Sequence, residues 1–148
     1  MIAVVQRSLN SSVEVNGDTV GSIKNGLVIF LGIFNEDNSD DVDYLVKKII
    51  TIRIFGDNKG KMNLSLKEVD GSVLIISQFT LCADMSSGRR PSFSAAKPSD
   101  ESKALYEKFI LLFKNYAINV ETGQFGNFMN VKIINNGPST FILNSRKD

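Results

Sequence analysis

Three hydrogen-bonding side chains, Ser77, Gln78 and Thr80, follow directly on the apolar run from Val73 to Ile76. An unpaired buried hydroxyl or amide costs roughly 1–3 kcal/mol, so such groups either bond to neighbouring protein or wait for a ligand. Spacing alone leaves both open: a central strand whose polar groups meet nearby loops, or a pocket wall at a strand end. Gly137-Pro138, set between two apolar stretches, is a second candidate. Glycine reaches backbone angles closed to other residues, and an X–Pro bond is the realistic place for a cis peptide. Such a unit can aim two carbonyl oxygens into a site with little side-chain bulk; a plain β-turn is the alternative. Arg7, at the end of an apolar strand, needs acceptors, and carbonyl oxygens would serve. Arg89-Arg90, in a Gly/Ser/Pro loop, suits a phosphate or carboxylate, or is solvated surface.

The composition narrows the chemistry. The 148 residues contain no histidine, so catalysis must proceed without the side chain most used as a base near neutral pH. Cys82 is the only cysteine; it permits no intrachain disulfide and no four-ligand Cys/His zinc site, and it reads as a small buried hydrophobe at the end of the strand. A carboxylate magnesium or calcium site stays open, but no Asp/Asn-rich calcium loop is present, and no metal or cofactor is assigned. Seventeen basic and sixteen acidic residues give a net charge of +1, too little for a protein that coats DNA non-specifically, although a local phosphate contact remains open. The longest apolar run, Leu27 to Phe34, is too short to span a bilayer, and the N-terminus lacks the pattern of a signal peptide. The expectation is a soluble cytoplasmic protein with no membrane partner.

The elements that must position these residues follow from periodicity. Ile2 to Ser8 reads as a strand, and Ser12 to Val15 and Asp18 to Ile23 as a hairpin about Asn16-Gly17. Gly26 to Phe34 lacks alternation and predicts a strand buried on both faces. Ser39 is placed as the cap of a helix with Val42, Leu45, Val46, Ile49 and Ile50 on one face. Ile52 to Phe55 is read as a strand, and residues 56–60 as a turn. Gly71 precedes the strand that ends in the polar cluster, and Ala83 to Pro98 is a loop. Ser99 is placed as the cap of a second helix with Leu105, Phe109, Leu112, Phe113 and Tyr116 on its buried face. Ile118 to Glu121, Met129 to Ile134 and Ser139 to Leu143 complete the strands, with residues 135–138 interrupting the last two. Met62 and Met129 read as core. Lys47-Lys48 reads as the wet face of the first helix. The fold class is α/β: one domain over residues 1–148, with curved, mostly antiparallel, barrel-like β-sheets and two helices packed on one side.

Taken together, Met1 to Arg7, Gly60-Lys61-Met62-Asn63-Leu64, Ser77-Gln78-Phe79-Thr80-Leu81, Arg90-Pro91-Ser92-Phe93 and Asn135-Asn136-Gly137-Pro138-Ser139-Thr140 resemble the D-aminoacyl-tRNA deacylase family. The likeness runs from residue 1 to about residue 143, and two signature blocks at this separation make it highly specific. Ser139 departs from it, standing where the family commonly has an apolar residue. The resemblance implies hydrolysis of the ester joining a D-amino acid to the 3′-terminal adenosine of tRNA, with action on glycyl-tRNA as an extension. It also implies a homodimer in which each Gly-Pro element enters the partner's pocket. It assigns Gln78, Phe79 and Thr80 to catalysis, and Ser77, Gly137, Pro138, Arg7, Asn135 and Met129 to substrate binding. An activated ester needs a placed water and a stabilised oxyanion, which N–H groups near Phe79 and Thr80 would supply. Carbonyls of a cis Gly137-Pro138 would take the α-ammonium and leave no room for an L side chain, with Arg7 holding the element through its carbonyls. Two rivals are weighed against this reading. One is a hydrolase with Thr80 as covalent nucleophile and a lysine as base. The other is a non-catalytic nucleic-acid or replication-associated factor on the same fold.

Overall fold

The computed structural model describes residues 1–146. Its centre is a five-stranded sheet with the order β6-β5-β2-β1-β7. Strands β1 (Ile2–Val15) and β2 (Asp18–Gly32) form one long hairpin. Asn16 and Gly17 turn it with φ of +53° and +89°, the positive pair that a two-residue hairpin loop demands. Both strands are longer than periodicity suggested, because local breaks such as Asn10 at φ +49° are bridged by pairing across the hairpin. Helix α1 (Ser39–Thr51) and the small hairpin β3 (Phe55–Gly56) with β4 (Met62–Leu64) lead over to β5 (Ser72–Ser77). β5 lies parallel to β2, and β6 (Val120–Thr122) lies parallel to β5. Helix α2 (Ser99–Asn115) precedes β6, and β7 (Asn130–Asn144) closes the sheet antiparallel to β1. Most paired residues are antiparallel, as expected. Among the described residues no helix is long and apolar enough to cross a membrane.

The runs without alternation are explained by burial from two sides. Leu27, Ile29, Leu31, Val73 and Ile75 face the core under both helices, whereas Val28, Leu74 and Ile76 face a smaller core on the other side with Val13 and Ile23. The α1 face is the one read from spacing: Val42, Leu45, Val46, Ile49 and Ile50 are all buried. Its cap differs by one residue. Asn38 accepts from the Asp40 N–H at 2.8 Å while Asp41 accepts from the Asn38 N–H at 2.9 Å, a reciprocal box that Ser39 cannot build from inside the helix.

Several local expectations are corrected by packing. Ser99 is the first helical residue of α2, after Pro98, and does not cap it. Tyr106 joins Phe109 and Phe113 in the core, its hydroxyl donating to the Ile75 carbonyl at 2.9 Å, whereas Tyr116 stays 41% exposed. Residues 52–54 are not strand; only Phe55 and Gly56 pair. Met62 lies 53% exposed on β4 because that hairpin is two short strands with one face to solvent. Met129 is half-buried against the smaller core. The segment at 135–138 does not divide β7 into two strands but forms a bulge within it.

Candidate functional site

β5 ends at Ser77, opposite Leu31 of β2. The Gln78 N–H donates to the Leu31 carbonyl at 2.8 Å, and the chain then leaves the sheet in a 3-10 turn, Phe79–Cys82. Gly32 lets that turn approach: a Cβ there would stand 2.9 Å from the Leu81 Cβ and 3.2 Å from the Cys82 Sγ. The polar cluster therefore sits on a corner, not on a strand, and Cys82 belongs to the turn. Gln78 Nε2 donates to Thr80 Oγ1 at 2.5 Å, so two of the three polar groups satisfy each other. With its oxygen held as an acceptor, the Thr80 hydroxyl proton is directed elsewhere. The N–H groups of Phe79 and Thr80 open the turn, and neither donates to an acceptor among the described residues. Phe79 is 57% exposed and its ring tilts against Phe93 at 4.9 Å, which ties the 83–98 loop to the corner.

Beside this corner lies a cavity of about 550 Å³. It is lined by Ser77, Gln78 and Phe79, by residues 125–129, and by the apolar side chains of Leu31, Ile33, Ile76 and Val131. Lys97 also borders it, but its ammonium is committed to the Asn35 carbonyl at 2.6 Å and faces Glu101 at 3.5 Å. The Cys82 thiol is buried, and desolvation, helped by the charge of Asp37, pushes its pKa up to about 11. It is an inert neutral thiol at ordinary pH.

The second group assembles elsewhere. In the β1–β7 ladder Gln6 pairs with Thr140 and Ser8 with Asn135, so Arg7 alone faces residues 136–139. This bulge is pinned from three directions. Arg7 Nε donates to the Asn136 carbonyl at 3.0 Å, and its Nη1 to the Ile54 carbonyl at 2.9 Å. Asn135 Oδ1 accepts from the Ser139 N–H at 2.8 Å, and Asn135 Nδ2 and Gln6 Nε2 both reach Thr140 Oγ1 at 3.0 Å. Gly137 takes φ +139°, and the Gly137-Pro138 peptide is cis. A Cβ on Gly137 would lie 2.5 Å from the Ser139 Oγ and 2.8 Å from Arg7 Nη2. Arg7 thus grips the carbonyl just before the Gly-Pro pair; among the described residues no side chain donates to the carbonyls of Gly137 or Pro138. Ser139, the polar departure, is buried beneath the bulge.

Ser77, Gln78, Phe79 and Met129 meet around the cavity, and Thr80 joins them through Gln78. Arg7, Asn135, Gly137 and Pro138 do not. Ser77 is opposite Leu31, which is opposite Ala3, whereas the bulge is level with Arg7. Four residues along β1 and three strand spacings across amount to roughly 20 Å. The reading from sequence missed the carbonyl of Ile54, which only folding brings to Arg7. It also missed Phe125 and Phe128, for which an aromatic pair inside a Gly/Asn turn was the available signal.

The family described as D-Tyr-tRNA(Tyr) deacylase matches residues 4–144. The chain is 53% identical over 147 residues to a protein named D-aminoacyl-tRNA deacylase from Thermosipho africanus, covering 99% of each chain. It is 54% identical over 147 residues to one of the same name from Fervidobacterium nodosum, again covering 99% of each. A solved structure titled c-Myc DNA Unwinding Element Binding Protein superposes with a TM-score of 0.93 at 36% identity, covering 99% of this chain and 100% of that one.

Proposed function

This chain belongs to the D-Tyr-tRNA(Tyr) deacylase family and is a D-aminoacyl-tRNA deacylase, and from that premise we propose how its own residues hydrolyse the ester and choose the D substrate. The observation that carries the chemistry is the corner at residues 77–80: two N–H groups without acceptors, beside a cavity, with a hydroxyl fixed by an amide. The aminoacyl end of tRNA occupies the cavity. A water oxygen attacks the ester carbonyl carbon, and the N–H groups of Phe79 and Thr80 stabilise the oxyanion that forms. Collapse breaks the bond to the ribose oxygen, which leaves with a proton, and the free D-amino acid and tRNA depart. Gln78 and Thr80 hold the ester and water in line, and the neighbouring ribose hydroxyl relays the proton. No side-chain nucleophile is needed. Among the described residues Thr80 has no base as a hydrogen-bond partner, and the raised thiol of Cys82 stays protonated.

Selection is made by the Gly137-Pro138 element of a second copy of the chain. Within one chain that element is roughly 20 Å from the corner, too far to wall the cavity. Gly137 and Pro138 are exposed, no side chain among the described residues donates to their carbonyls, and Arg7 holds the Asn136 carbonyl just before them. Such oxygens accept from the α-ammonium of the substrate, and the main chain behind them occupies the volume an L side chain requires. Because exclusion is steric and main-chain, D-amino acids of very different size are accepted, and glycyl-tRNA is hydrolysed as well. A side-chain pocket would instead rank substrates by size and polarity.

The test uses D-tyrosyl-, L-tyrosyl- and glycyl-tRNA with the wild type and Thr80→Ala. Ester loss is expected from the first and third only, with the variant slowed roughly 10- to 100-fold but active. A trapped threonyl ester in the wild type, with complete loss of activity in the variant, would replace this mechanism with covalent catalysis.

A further inference from the structure

We propose that Phe128 is a stacking platform for the unpaired nucleobase next to the terminal adenosine of the tRNA, a contact beyond the nucleoside that carries the ester. The inference rests on the functional reading above. Phe128 is 90% exposed, more than any other large apolar side chain among the described residues. Isolated exposed apolar residues are ordinary, so exposure alone decides nothing; place and rigidity do. Phe128 lines the same cavity as Ser77 and Gln78, and its exposure puts it at the mouth. Its neighbours in sequence are anchored: the Phe125 ring tilts against Tyr106 at 5.4 Å, and Met129 packs on the smaller core. Between them Gly126 takes φ +79°, the Asn127 N–H donates to the Gln124 carbonyl at 3.2 Å, and Asn127 Nδ2 donates to Gln124 Oε1 at 2.7 Å. The turn is locked at its base and presents the ring outward.

A cavity of about 550 Å³ is of the size that takes one aminoacyl nucleoside and not a second nucleotide. The nucleotide that precedes it in the single-stranded acceptor end must then lie at the rim, where its base has no pairing partner. Every base offers a π face, and an exposed aromatic ring takes it without hydrogen-bond readout. The ring adds affinity for tRNA whatever the amino acid attached, so it serves binding while the corner serves chemistry.

A double-mutant cycle tests this. Wild type and Phe128→Ala are assayed on D-tyrosyl-tRNA carrying either the natural penultimate base or an abasic ribose at that position. Removing the base should raise the wild-type KM about 5- to 150-fold. Phe128→Ala should raise KM by a similar factor on the natural substrate, and the two changes together by no more than either alone, with Phe128→Trp restoring the wild-type value. Effects that multiply independently, or no effect of the abasic position on the wild type, would overturn the proposal. So would a change in oligomeric state for Phe128→Ala in sedimentation, which would make the ring a contact between copies. Failure of the wild type to hydrolyse any D-tyrosyl substrate is a distinct result that would remove the functional reading itself.

Discussion

The corner at Ser77–Thr80 and the bulge at Asn135–Ser139 are both places where a strand loses its regularity, yet they are built in opposite ways. The corner is a side-chain construction: an amide fixes a hydroxyl beside a cavity, and two N–H groups are left over. The bulge is a main-chain construction: side chains of Arg7, Gln6 and Asn135 hold its frame from behind, and what it presents is two carbonyls and a glycine. The corner offers donors beside a cavity; the bulge offers acceptors. One is complementary to a carboxyl ester, the other to an ammonium group, and an aminoacyl ester carries both. Their separation within one chain is what makes a second copy part of the proposed site.

The largest expected effect breaks that complementarity from both ends. Gly137→Ala places a Cβ 2.5 Å from the Ser139 Oγ at a φ of +139°. The strain and contact should lower D-aminoacyl-tRNA hydrolysis roughly 100-fold. Gln78→Ala disables the corner instead. Mixing the two variants with subunit exchange should recover about a quarter of wild-type activity, because half the dimers are mixed and each holds one intact site. No recovery on exchange would place corner and bulge of each site in the same chain.

A smaller effect is expected for Arg7→Ala, which frees the Asn136 and Ile54 carbonyls but leaves the backbone angles of Gly137 permitted. A charged hydrogen bond of this kind is worth about 1.5–3 kcal/mol, shared here between stability and positioning. About 10-fold slower deacylation, with measurable loss of L-tyrosyl-tRNA as selection loosens, would show the guanidinium as the brace of the bulge. Unchanged kinetics together with unchanged thermal stability would reduce it to a surface charge.

The smallest effect concerns the corner alone. Burial holds the Cys82 thiol neutral, with its pKa pushed up to about 11. At pH 8 a thiolate fraction near 0.1% follows. Native protein should therefore be alkylated by iodoacetamide at least about 100-fold more slowly than denatured protein, without loss of activity, and the rate should still be rising with pH at pH 10. Rapid native alkylation that abolishes hydrolysis would mean the corner uses a thiol after all.

Much of the frame was legible because it depends on local periodicity. The unalternating runs of β2 and β5, the Asn16-Gly17 turn and the apolar face of α1 each report which sides are covered, and neighbours in sequence suffice to read them. The cap of α1 lies one residue earlier than spacing places it because Asn38 and Ser39 are both good caps, and only the reciprocal bond with Asp41 separates them. Met62 was misread because a methionine in a strand is usually core, and nothing nearby in the sequence says that β3 and β4 pair only with each other.

The sequence by itself determined which residue types the protein has for its work: no histidine, one thiol, a Ser-Gln-Phe-Thr block, and a Gly-Pro pair whose backbone freedom no other dipeptide combines. Tertiary structure alone decided how they are distributed. It bonded Gln78 to Thr80, set the Gly-Pro bulge opposite Arg7 and roughly 20 Å from the corner, and left Phe128 on the cavity rim. The reason is physical. Burial patterns are written in spacings of two to four residues, whereas the contact between Arg7 and Asn136 closes over 129 positions. Such a contact exists only because the β1–β7 register, bulge included, brings the two ends of the chain side by side.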